Sequence, residues 1–142
     1  MTKGSDTAER FGLSSCTGCG ACSSACPSSR NGGVSPDSVV SAVLEGERAE
    51  GVWKCLLCHR CSAACPEGID VASFMLEMRN RAAREGDVPQ KFRQTYAAVI
   101  RDGATAVPKG RFLQAREGFG LSPSEPDAES RKILAAALEG RC

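Results

Sequence analysis

The sequence predicts a mainly α-helical domain whose helices are joined by cysteine-bearing loops. Three observations predict it. Two short runs, Cys16 to Pro27 and Cys55 to Pro66, share the spacing C-x2-C-x2-C-x3-C-P. Around them, apolar residues recur every three or four positions, the period of an amphipathic helix. The period-two alternation of a half-buried strand is not evident anywhere in the chain.

The spacing is identified with the iron–sulfur run of bacterial two-cluster ferredoxins, where three cysteines hold one 4Fe-4S cluster and the fourth reaches across to the other. A cube of four irons needs four thiolates, and cysteines two residues apart let one tight loop offer three. Proline after the fourth sets φ and brings no N–H that needs a partner. On this identification Cys16, Cys19, Cys22 and Cys65 hold one cluster, and Cys55, Cys58, Cys61 and Cys26 hold the second. Exchange of the fourth ligands makes the clusters neighbours, so the chain conducts electrons and no catalytic residue is expected on it. Structural zinc favours four tetrahedral ligands, commonly with histidine, and does not explain a repeated third and fourth cysteine. A disulfide framework calls for an oxidising compartment. Residues 1–13 carry no apolar leader stretch, so the expectation is a cytoplasmic protein.

At 142 residues the chain has the length of one domain with an appended arm. Eighteen Lys and Arg against seventeen Asp and Glu give no basic footprint for nucleic acid. Bound clusters with their thiolates would tip this balance to mildly acidic. No apolar run approaches the roughly 18 residues of a membrane span. Aromatic residues are few, so the clusters stand in for part of a core, and folding is expected to depend on their insertion.

In chain order, residues 1–15 read as a flexible lead anchored by Phe11 and Leu13. The first run is padded with Thr17, Gly18, Gly20, Ala21, Ser23 and Ser24, small residues that let backbone N–H groups point at sulfur or simply permit the tight loop. Ser35, Pro36 and Asp37 read as a hydroxyl cap, a first-turn proline and an acid that start a helix. Val39, Val40, Val43 and Leu44 form its apolar face and Gly46 its stop. Trp53 precedes the second run, either shielding a cluster or packing on the preceding helix. The second run is filled by Leu56 and Leu57 and flanked by Lys54, His59 and Arg60. A drier, more positive second site, and hence two separated reduction waves, is the expectation. His59 is the only histidine, and eight cysteines already satisfy two cubes, so it reads as a surface or hydrogen-bonding residue.

Asp70 reads as the cap of a second helix with Val71, Phe74, Met75 and Met78 on one face, Arg79, Arg81 and Arg84 near its end and Gly86 as its stop. The arginines read as a solvated face or a docking face. Pro89 opens a third helix with Phe92, Tyr96, Val99 and Ile100, closing at Gly103. Beyond it, glycine and proline with scattered Phe112, Leu113, Phe119 and Leu121 suggest an extended arm, for another subunit or for packing back. Asp127 reads as the cap of a last helix striped by Ile133, Leu134, Ala137 and Leu138, with Gly140 as stop and Cys142 as a terminal thiol without a motif partner. The expected organisation is a lead over 1–15, a two-cluster domain over 16–103, and an arm with a C-terminal helix for partner docking over 104–142.

With the two runs, the helix between them and Cys65-Pro66-Glu67-Gly68-Ile69-Asp70-Val71 leading into another, residues 11–103 resemble the α-helical ferredoxins. More narrowly they resemble the C subunits of heterodisulfide reductases. That resemblance implies a soluble relay of archaeal methanogens and other anaerobes. In it, the FAD-carrying A subunit passes electrons through the C subunit to the B subunit, whose non-cubane clusters reduce the coenzyme M–coenzyme B disulfide. A hydrogenase or formate dehydrogenase module would feed the complex. The resemblance carries over the eight motif cysteines as ligands, and the absence of a Cys-Cys-Gly motif keeps the disulfide chemistry off this chain. Two other readings stand beside it. One is an iron–sulfur subunit of a succinate or fumarate reductase type, or of a glycerol-3-phosphate or lactate oxidation system. The other is a free-standing ferredoxin.

Overall fold

The computed structural model of the chain describes residues 3–105, 109–121 and 128–139, and every described element is helical. The chain divides into two compact units, 1–87 and 88–142.

The first unit is built from α1 (Lys3–Arg10), the one-turn helices α2 (Ala21–Ser24) and α3 (Pro27–Arg30), α4 (Pro36–Leu44), a further single turn α5 (Arg60–Ala63), and α6 (Val71–Arg84). The segment expected as a flexible lead is thus largely helix, with α1 packed on α4. The anchoring residues named for it do pack: Leu13 is fully buried, and the Phe11 ring meets Phe74 edge-on with centroids 5.9 Å apart. The reason is composition, since Phe11 and Leu13 bury apolar surface that water disfavours and draw the preceding turns onto the core.

That core joins the apolar faces of α4 and α6. Val39, Val40 and Val43 meet Val71, Phe74, Met75 and Met78, with Val34, Val52 and Ile69 closing the ends. Leu44 departs from the expected face and is 47% exposed. Gly46 and Gly86 end α4 and α6 with φ of 77° each, a left-handed value that costs glycine nothing.

The second unit holds α7 (Gln90–Asp102), α8 (Arg111–Gly118) and α9 (Ala128–Glu139). By compactness α7 falls in this unit, whereas the sequence reading ran the cluster domain through 103. The stretch expected as an extended arm contains α8, because Arg111 to Glu117 are good helix formers between glycines. None of the described residues of this unit is buried. Phe92, Tyr96, Phe112, Phe119 and Ile133 are all well exposed. Of the face expected from Phe92, Tyr96, Val99 and Ile100, the two aromatics are exposed and the two aliphatics half-buried. Asp127, Gly140, Cys142 and the side chains of Ala137 and Leu138 lie outside the described residues.

Candidate iron–sulfur centres

Both cysteine runs fold in the same way. Each begins at a left-handed glycine, Gly12 or Gly51, followed by a single 3-10 turn, Leu13–Ser15 or Val52–Lys54, that ends on the first cysteine. Within the runs, left-handed backbone recurs at corresponding positions. Gly18 and Gly20 have φ of 68° and 71°, and Leu57 and His59 have 50° and 61°. The spacing therefore demands two reversals per loop. The first run meets the demand with glycine, and the second holds two side chains in a conformation that disfavours them. A one-turn helix, α2 or α5, then carries the third cysteine.

Corresponding serines tie each loop to its long helix. Ser62, next to Cys61, accepts the N–H of Ala72 at 2.8 Å and donates to Asp70 Oδ1 at 2.8 Å. Ser23, next to Cys22, accepts the N–H of Asp37 at 3.1 Å, with Ser35 Oγ 2.7 Å away. The expected hydroxyl cap Ser35 makes no side-chain bond to the α4 backbone, and Ser23 takes that task from a distant loop. Asp70 caps α6 as expected, accepting the N–H of Ser73 at 3.2 Å.

These ties gather the cysteines around two cavities. Cys16, Cys19 and Cys22 line the first with Cys65 of the other run. Cys55, Cys58 and Cys61 line the second with Cys26. Their empty volumes are about 430 and 320 Å³, open solvent included. All eight thiols are free. They surround a space and do not meet at a point: among the described residues no three His, Cys, Asp or Glu side chains form a single-ion site. Four sulfurs around each cavity fit a cluster of several irons, whose corners each take one thiolate.

The linings differ. The first cavity is lined by Thr17, Gly18 and Gly20, by the aliphatic Val40, Ile69 and Val71, and by the acidic residues Asp37 and Glu67. The second shows Leu56, Leu57 and His59. His59 lies on its rim, exposed. Cys19 and Cys58 are exposed, and Cys26 and Cys61 are buried. Burial pushes the thiols of Cys22 and Cys61 above the ordinary value, so neither ionises readily without a cation to meet it. Burial alone would raise Asp37 too. Hydrogen bonds from Ser23, Ser35 and Ser38 outweigh it and hold the carboxyl below its usual range. In the second run the N–H of Leu57 donates to Cys55 Sγ at 3.4 Å, the backbone-to-sulfur contact that tight loops permit.

Trp53 packs at the edge of the core, its indole N–H donating to the Asp87 carbonyl at 2.7 Å, and lines neither cavity. Of the three arginines read as one face, Arg81 and Arg84 pair with Glu85 and Glu77 on the surface. Arg79 instead turns inward onto the turn before Cys55. Sequence reasoning missed Ser23, Ser62, Ser28 and Arg79. For the first two the signal was present, since a serine follows the third cysteine of both runs.

Residues 12–69 match the 4Fe-4S dicluster domain family. The chain is similar to the C2 subunit of an H2/formate:CoB–CoM heterodisulfide, ferredoxin reductase of Methanococcus maripaludis, 28% identical over 82% of this chain and 66% of that one. It is similar to an iron–sulfur C subunit of a CoB–CoM heterodisulfide reductase of Methanocaldococcus jannaschii, 27% identical over 82% of this chain and 65% of that one. A third relative is the C subunit of a ferredoxin/F420H2-dependent CoB–CoM heterodisulfide reductase of Methanosarcina acetivorans, 31% identical over 82% of this chain and 74% of that one. The chain thus spans just under two thirds of the length of the first two relatives. Two cavities with four thiols each accord with a domain of two 4Fe-4S clusters, and the helical architecture without strands among the described residues accords with an α-helical ferredoxin. By its dicluster domain and its kinship along most of its length, this iron–sulfur electron-transfer chain belongs to the family of heterodisulfide reductase C subunits.

Proposed function

We propose that Cys16, Cys19, Cys22 and Cys65 hold one 4Fe-4S cluster and Cys55, Cys58, Cys61 and Cys26 the other. The chain then relays electrons within a cytoplasmic heterodisulfide reductase, from an FAD-bearing A subunit to the B subunit that reduces the coenzyme M–coenzyme B disulfide. The observation that carries the ligand assignment is the crossing of the fourth cysteines, Cys65 into the first cavity and Cys26 into the second. When bound, the clusters supply one-electron reduction and oxidation. The residues do the rest. Cys26 and Cys61, buried, face the protein interior, while Cys19 and Cys58 sit at the surface where an electron enters or leaves. Cys22 and Cys61 hold their protons until iron displaces them, so loading releases protons to solvent. Ser23 and Ser62 hold each loop against its long helix.

Residues 104–142 are proposed to dock the partner subunits. What supports this is the exposure of Phe112 and Phe119, the latter 81% exposed, in a unit without a buried residue among those described. No helix among the described residues is long and apolar enough to cross a membrane.

The ligand sets are tested by iron counting after anaerobic reconstitution of single and double variants. Cys65→Ala is expected to lose four of the eight irons of a dicluster protein. Adding Cys19→Ala should cost nothing more, because both belong to one site, whereas adding Cys58→Ala should remove the remainder. Further loss with Cys19→Ala, and none with Cys58→Ala, would assign Cys65 to its own run. Anaerobic affinity purification tests the assembly: recovery with a flavoprotein and a Cys-Cys-Gly protein supports it, and a stable lone chain points to a mobile carrier.

A further inference from the structure

The 3-10 turn Val52–Lys54 leads directly into Cys55, and its carbonyls are held by two side chains from elsewhere in the sequence. Arg79 of α6 donates through Nε to the Val52 carbonyl at 3.0 Å and through a terminal nitrogen to the Trp53 carbonyl at 3.1 Å and to the Cys55 carbonyl. Ser28, just past Cys26, donates to the remaining Lys54 carbonyl at 2.8 Å. The guanidinium also lies over the Trp53 ring, 5.6 Å from its centroid. Among the described residues Arg79 forms no ion pair, unlike Arg81 and Arg84. Its charge is therefore not neutralised by a carboxylate, and it is fixed one hydrogen bond from the backbone of a cluster-loop cysteine.

The first run lacks this device. Counted from the residue whose N–H the loop serine caps, Asp37 in α4 and Ala72 in α6, the position matching Arg79 is Leu44, which is exposed. The two sites thus share a fold, and the second alone has this fixed cation on the turn that enters it. The first site carries Asp37 and Glu67 at its wall instead.

We propose that Arg79 is the positioning residue of the second site: its fork sets the path of the chain into Cys55, and its charge raises the reduction potential of that site above the other. The inference rests on the ligand sets proposed above. A planar fork suits adjacent carbonyls better than a lysine ammonium does. Reduction places one more negative charge at the site, and a nearby fixed cation favours the charged form.

The test is redox titration followed by EPR, together with iron release to a chelator, on the reconstituted full chain. Arg79→Gln is expected to move the higher of the two reduction waves to lower potential and leave the lower one in place, and movement of the lower wave alone would overturn the proposal. Arg79→Lys keeps the charge without the fork. It is expected to keep both waves while releasing half of the iron several-fold faster than the unmodified chain. Arg81→Gln, on the solvent side of the same helix, should change neither reading. Unmoved waves in Arg79→Gln, equal movement of both, or a shift in Arg79→Lys as large as in Arg79→Gln would overturn the proposal. Should Arg79→Gln fail to load, Arg79→Lys decides: faster release with unshifted waves supports the role, and release at the unmodified rate overturns it. Failure of the ligand sets shows itself separately, as a shortfall of iron in the unmodified chain.

Discussion

The hydroxyl of Ser62 accepts the backbone N–H of Ala72 at 2.8 Å, so the residue after the third cysteine of one loop caps the helix that follows the fourth. Ala72 is 2% exposed, and its N–H has little access to water. Ser62→Ala is therefore expected to cost about 1–3 kcal/mol, the penalty of a buried donor left unmade. Ser23→Ala should cost less, because Asp37 is more open to solvent. Denaturant unfolding of the anaerobic holoprotein measures both, and equal stability of Ser62→Ala and the unmodified chain would refute the capping role.

Gly18 and Leu57 occupy matching left-handed positions, one filled by glycine and the other by a side chain, and His59 is the second such side chain of its loop. A Cβ at Gly18 meets no protein atom within 4 Å, and its left-handed backbone alone is expected to make Gly18→Ala cost about 1–2 kcal/mol. His59→Gly should run the other way, holding or raising stability, because it releases strain at φ of 61° and the imidazole is exposed. Unfolding midpoints of the two variants check the pair, and a stabilised Gly18→Ala would remove the strain argument.

Gly33 illustrates the other use of glycine, close approach. A Cβ there would sit 2.2 Å from Ser28 Oγ and 2.9 Å from the Ser28 carbonyl oxygen. Ser28 also accepts the N–H of Val34 at 3.1 Å while donating to Lys54. Gly33→Ala is expected to displace Ser28 and to destabilise by about 1–3 kcal/mol through overpacking, with faster iron loss from the second site. Iron release to a chelator reads the second effect directly.

Asp70 supplies a pH signature. Hydrogen bonds from Ser73 and Ser62 hold its carboxyl below the ordinary 3.8. The folded chain therefore binds that proton less tightly than the unfolded chain, and the resulting stability is complete above the ordinary carboxylate range. It is lost as pH falls through that range and below. Asp70→Asn keeps a good cap but not the charge. The stability difference between the two proteins should shrink on acidification from about pH 5 to pH 3. A difference constant across that window would contradict the assignment.

Much of the site was legible before any coordinates. Cysteine spacing alone pointed to the eight cysteines that line the two cavities, because a cube imposes spacing on a loop more strictly than apolar packing imposes identity on a core. The apolar stripe of α6 was equally plain, since Val71, Phe74, Met75 and Met78 keep helical period. The lead was misjudged because α1 is held by packing onto α4, and a short polar helix carries little propensity of its own. Leu44 was placed in the core by period and stands exposed, because α4 ends there and its last turn leaves the contact.

Periodicity and spacing, both local properties, therefore marked α4, α6 and α7 and the cysteines of the two loops, but not α1 or α8. The tertiary structure decided which side chains from distant segments hold those loops: Ser23 on α4, Ser28 on the turn before Cys55, and Arg79 on that turn rather than in solvent. A hydrogen bond between residues fourteen or more positions apart depends on where two segments meet. No local pattern in either segment records that meeting, because the packing of the core between them creates it.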